Sequence, residues 1–100
     1  MTYKDPLWEL VEKVQDEQTF INFLFAMIRD REDDRRKEET NPSSPYGASV
    51  NVWENGSIEA FLEAAAAWAE SSIDGLPFHP KTENPWQRAV EIIHAGKFYE

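Results

Sequence analysis

Two pairs of carboxylates in this sequence stand at a spacing that a hydrated divalent cation can use. Glu9 and Glu12 are three residues apart, and so are Asp30 and Asp33, with Asp34 beside them. On a helix, residues at i and i+3 share a face. Two such pairs on neighbouring helices could hold Mg2+ together with waters and a bound phosphate. Glu59 and Glu63, at i and i+4, have the spacing of an acid and a base, a role that needs a pocket to separate their pKa values. Each pair also reads as the solvated face of an amphipathic helix. No other arrangement suggests chemistry. His79 and His94 lie in no Glu-x-x-His or His-x-x-x-His spacing, and His94 suits the C-terminal end of a helix, where the dipole favours a cation. No serine occupies a Gly-x-Ser-x-Gly elbow, and the four glycines are isolated, so nothing cradles a phosphate. The absence of cysteine removes disulfides, thiolate metal sites and thiol nucleophiles.

The two acidic pairs resemble those of the all-α nucleotide pyrophosphohydrolases. The resemblance implies Mg2+-dependent hydrolysis of a nucleotide, with Glu9, Glu12, Asp30 and Asp33 as metal ligands. This chain departs from that pattern in starting its second pair with Asp and in interleaving five basic residues with it, between Arg29 and Lys37. No phosphate-binding lysine set accompanies the pairs. The simpler reading carries no catalytic residue and no cofactor.

The elements that position these residues are legible as helical stripes. Asp5-Pro6 is an acidic cap followed by a proline at the first helical position. Leu7, Leu10, Val11 and Val14 then recur with helical period, predicting a helix from Pro6 to about Gln15. Asp16 caps a second helix whose Phe20, Phe23, Leu24, Met27 and Ile28 share one face. Ile21 and Phe25 widen that stripe, so this helix is expected to be central and the most buried. It runs into Arg29–Glu39, eleven consecutive charged residues, five basic and six acidic. Pairs such as Asp33–Lys37 and Asp33–Arg36 each add about 0.2–0.5 kcal/mol, and the helix is expected to fray near Glu39.

Thr40 to Gly56 reads as a long loop, with Val50 and Val52 in alternation but no second strand to pair with. Ser57 caps a third helix, with Ile58, Phe61, Leu62, Ala65, Trp68 and Ala69 on one stripe and Glu59, Glu63 and Glu70 facing away. Its alanine run lets a neighbour approach closely. Asn84-Pro85 repeats the start signal, and Trp86, Ala89, Val90 and Ile93 follow on a fourth helix that Gly96 is expected to stop. Residues 97–100 then form a short docked tail. Trp68 and Trp86 are expected in the core. Tyr46, Trp53 and Glu54, in the long loop, are the candidate binding residues, since loop aromatics serve as interface anchors.

The formal net charge is −9. Such a surface repels nucleic acid, whose partners carry basic stripes, and anionic membranes. A basic protein partner is favoured by the opposite field. The N-terminus lacks the basic start and apolar run of a signal peptide, and the longest apolar runs, Phe23–Ile28 and Ala64–Ala69, are far below the ~20 residues of a membrane span. A cytoplasmic protein is expected.

The segments Trp53–Trp68 (WENGSIEAFLEAAAAW), Asn84–Ala89 (NPWQRA) and Ala95–Glu100 (AGKFYE), with Phe20-x-x-Phe23 and Pro42–Gly47, resemble a small bacterial family known only as a domain of unknown function. The resemblance covers nearly the whole chain and implies a complete single domain of bacterial origin, with no catalytic residues. The expectation is therefore an all-α domain of four helices, residues 1–100. It would act as a non-catalytic protein-binding module of the immunity or antitoxin kind. The alternatives are the Mg2+-dependent hydrolase and a homodimer built on the alanine-rich third helix.

Overall fold

The computed structural model describes residues 5–43, 49–77 and 80–99. Four helices are present among them, α1 (Leu7–Lys13), α2 (Glu17–Thr40), α3 (Ile58–Ser71) and α4 (Pro85–Phe98), and no strand. The starts follow local chemistry. Asp16 and Thr19 form a reciprocal capping box at α2, with the Asp16 carboxylate accepting from the Thr19 N–H at 2.9 Å. The Ser57 Oγ accepts from Ala60 N, and the Asn84 side chain accepts from Trp86 N and Gln87 N ahead of Pro85. Asp5 accepts from Leu7 N at 2.9 Å, but α1 begins one residue later than expected, so Pro6 rather than Asp5 stands at the cap position.

The hub is α4, not α2. It packs against each of the other three helices, whereas α3 has no other helical neighbour. Val90, His94, Ala95, Gly96 and Lys97 of α4 are all buried. Against them lie Leu7, Val11 and Val14, then Phe23 and Met27, with Phe61 and Ile93 at the margin. At 1.5 Å per residue, the 24-residue α2 is about 36 Å long. That length compares with the 42 Å longest dimension of the molecule.

One expectation about a helix end is corrected. Gly96 does not stop α4, which continues to Phe98. Gly96 sits where α3 comes closest: a Cβ there would stand 2.8 Å from Phe61 Cε2 and 2.9 Å from the Phe61 carbonyl oxygen. Its missing side chain is needed for packing rather than for a left-handed turn. α2 ends at Thr40, beside the expected Glu39. Its last turn is tied to the following loop by Glu38, which accepts from Ser43 N, Ser43 Oγ and Val50 N at 2.6–2.8 Å.

The alanine run of α3 is partly used within the chain. Ala64 and Ala65 are buried, and Ala66 and Ala67 face outward. The expected stripe of α2 is also corrected: Ile28, placed on its main face, and the flanking Ile21 and Phe25 are all exposed. They lie opposite Phe23 and Met27, so the broad stripe is two separate rows. Trp86 is more than a third exposed and rests against Phe20, with ring centroids 5.7 Å apart.

Candidate functional site

One side of the charged run of α2 is not solvated, although Arg29, Glu32, Arg35, Arg36, Lys37 and Glu39 are exposed. Asp34 is 1% exposed, and Asp30 lies close to the interior. Both continue the buried row of Phe23 and Met27 at helical spacing. Facing them is Lys97, 0% exposed, on the same α4 stripe as Val90 and His94. Its ammonium donates to Asp30 Oδ2 at 2.8 Å and pairs with Asp5 Oδ2 at 3.1 Å. The imidazole of His94 meets the same Asp5 oxygen through Nε2 at 3.0 Å. Asp30 Oδ2 also accepts from Trp53 Nε1 at 2.9 Å. A buried ammonium is tolerable only when paired and hydrogen-bonded, and this junction supplies both.

Asn51 closes the junction from the long loop. Its backbone N–H donates to Asp34 Oδ1 at 2.8 Å. Its side-chain amide donates to Asp33 Oδ2 at 3.0 Å and to the Asp30 backbone oxygen and Oδ1, and accepts from Lys37 Nζ. Residues 50–53 form a turn in which inward and outward side chains alternate. Asn51 and Trp53 point inward, while Val50 and Val52 point out. Holding two inward side chains in so short a turn puts Val52 at φ 60°, a left-handed conformation unfavourable to a β-branched residue.

The acids respond to these partners. Donation by Lys37, Asn51 and Arg36 holds the Asp33 carboxyl far below the usual range, against a smaller opposing effect of burial. Burial pushes Asp5 up, but hydrogen bonds from His94 and Leu7 N and the Lys97 charge outweigh it and leave the group lowered. Glu38 is lowered by Ser43 Oγ and N, with a lesser part from Val50 N.

The four carboxylates expected as metal ligands are therefore distributed. Asp30 and Asp33 meet only through Asn51 and are turned toward cations and amides. Glu9 and Glu12 are exposed on α1. Among the described residues, no group of three or more His, Cys, Asp or Glu side chains could hold a metal ion. Of the loop residues singled out for binding, Trp53 is in the interior, stacked on Phe61 with Arg31 and Lys97 over its ring. It anchors the loop rather than offering itself to a partner. Glu54 is exposed, with its backbone N–H donating to the Lys97 carbonyl, and Tyr46 and His79 lie outside the described residues.

The outside of the molecule carries what the sequence placed inside. Ile58 is 76% exposed and Leu62 59%. With Ala66 they form an i, i+4, i+8 row along α3, and Glu59, Glu63 and Glu70 lie beside it on the same outer face. No Lys or Arg occurs in α3. Large exposed apolar side chains in a row, rimmed by charge, mark interaction surfaces. The outward row of α2, Ile21, Phe25 and Ile28, is instead flanked by both signs, with Arg29 and Glu32 adjoining. Sequence reasoning had assigned Ile58 and Leu62 to the core because they fit the stripe. Their true side follows from α4 docking around Phe61 and Ala65.

Four helices around a buried salt-linked junction define an all-α fold, and no helix among the described residues is long and apolar enough to cross a membrane. The chain belongs to a family of unknown function, DUF7660, which matches residues 16–100. No curated protein and no solved structure gives a significant match. Helix α1 and Asp5 precede the matched stretch, yet they supply Leu7 and Val11 to the core and one of the carboxylates of Lys97.

Proposed function

We propose that the protein is a non-catalytic binding module that takes a basic, amphipathic helical segment of a partner protein on the outer face of α3. The observation that carries this reading is the exposed Ile58–Leu62–Ala66 row lying beside Glu59, Glu63 and Glu70 with no basic residue on the helix. A partner helix lays its apolar positions in such a row and its lysines against such acids. The net charge of −9 steers it there. This is the kind of contact by which an immunity protein or antitoxin covers a basic partner. A second copy of the chain would set two acidic rows against each other, so the homodimer is the weaker occupant of this face.

The test uses a synthetic helical peptide with leucines at i, i+3, i+4 and i+7 and lysines on its flanks. Titrated into 15N-labelled protein, it should shift amide signals of 58–70 and lose affinity at least tenfold with Leu62→Ser and with raised salt. Shifts centred on Phe25, or binding unchanged in Leu62→Ser, overturn the reading.

A further inference from the structure

The outward row of α2 is a second exposed apolar feature of the molecule. Ile21, Phe25 and Ile28 recur at four and three residues, and Glu32 and Arg35 continue the count. That is the spacing of a seam between two helices. Phe25 and Ile28 are more than half exposed, on the side of α2 away from Phe23, Met27 and Asp34.

The charges along the row favour one kind of occupant. Glu17 and Arg35 are eighteen residues apart, about five turns at 3.6 residues per turn, so they stand on the same flank of the row at opposite ends. Both are exposed, and among the described residues neither makes a hydrogen bond or an ion pair. A uniformly basic or uniformly acidic helix laid on this row would meet a like charge at one end. A helix that presents apolar side chains between an acid and a base in reversed order would meet none. Turned end for end, α2 is that helix.

We infer that two copies of the chain associate through antiparallel α2 helices related by a twofold axis. In such an isologous pair every contact occurs twice. With Phe25 against Ile28 of the second copy, Ile21 lies on the methylene stem of Glu32 of the second copy, whose carboxylate reaches solvent. Glu17 then comes level with Arg35 of the second copy on the shared flank. On the other flank, Arg29 comes level with Asn22 of the second copy, so no like charges are brought together. The paired stretch, 17–36, is about 30 Å long. A parallel pair would instead set Glu17 on Glu17 and Arg35 on Arg35. Three apolar residues from each copy make a small seam, so the dimer dissociates on dilution. The row is separate from the outer face of α3 and does not depend on the reading given to that face.

Sedimentation equilibrium of the full chain at neutral pH, from about 10 μM to about 1 mM, should show the mass climbing from one chain toward two. Phe25→Ser, at an exposed position, should weaken association about tenfold or more with an unchanged melting temperature. Glu17→Arg and Arg35→Glu should each weaken it about threefold. Combined in one chain they should restore it, because the reversed charges again oppose each other across an antiparallel seam. Leu62→Ser, on α3, should leave association unchanged. The mass of one chain throughout the range overturns the inference. So does association that survives Phe25→Ser, is lost in Leu62→Ser, or is not restored in the double variant.

Discussion

The inside of this molecule is charged where its outside is apolar. Around Lys97, four polar side chains (Asp5, Asp30, Asn51 and Trp53) are joined by hydrogen bonds in the interior. Along α3, Ile58 and Leu62 stand in solvent. Residue type alone places each group on the wrong side, and geometry decides. Lys97 sits seven residues after Val90, on the row that faces the core, so its burial comes with α4, and Asp30 and Asp5 make that burial tolerable. Ile58 sits off the row set by Phe61, Ala65 and Trp68, and among the described residues no other element covers it.

The largest expected effect breaks the interior half of this contrast. Lys97→Met keeps the length of the side chain and removes the ammonium, leaving two inward carboxylates without their cation. Loss of one partner from a buried pair costs about 3–5 kcal/mol, which urea denaturation will show as unfolding at much lower midpoint. Adding Asp5→Asn and Asp30→Asn should recover a large part of that loss, because the orphaned charges go with it. A triple variant no more stable than Lys97→Met would mean that the charges are not the cause.

Next is the α3–α4 contact that sets which side of α3 is outside. Gly96→Ala places a methyl against the Phe61 ring and carbonyl at under 3 Å. Overpacking of this kind costs about 1–3 kcal/mol, or a fall in Tm of several degrees at about 4–8 °C per kcal/mol for a domain of this size. An unchanged Tm would show that the helices can separate freely.

Acid sharpens the same contrast. Asp5, Asp33 and Glu38 are held below their ordinary values in the folded state. The unfolded chain therefore takes up protons first, at about pH 4. The stabilisation they contribute is complete at neutral pH, declines as the pH falls through about 4, and is gone below the folded-state values. Thermal melts from pH 7 to pH 2 should show that decline, shallower in Asp33→Asn. A flat profile would remove these acids from the account.

How much of this was legible in the sequence depends on where the reading stopped. Three of the four helix starts were legible because Asp16, Ser57 and Asn84-Pro85 act locally. The ion pairs Asp33–Lys37 and Asp33–Arg36 follow from spacing on one helix, and both form. The junction was missed because hydrophobic periods were followed only to Ile28 and Ile93. Continuing the same count reaches Asp30 and Asp34 on α2 and Lys97 on α4. Asn51 carried no such signal: it sits in a loop, and its partners lie 14 to 21 residues away in α2.

A smaller effect concerns the loop that carries Asn51 and Trp53 inward. Val52→Asn suits the left-handed backbone and exposes no new apolar surface, so it should raise stability by about 1 kcal/mol. A loss of stability would mean that the Val52 side chain contributes packing that its exposure does not reveal.

The most direct measurement of the central claim is a side-by-side urea denaturation of Lys97→Met and Leu62→Ser. Burial as described predicts that the charged residue is the structural one: a loss of about 3–5 kcal/mol for Lys97→Met against a change within about 0.5 kcal/mol for Leu62→Ser. A Leu62→Ser protein that unfolds as readily as Lys97→Met, or a Lys97→Met protein as stable as the parent, would contradict it.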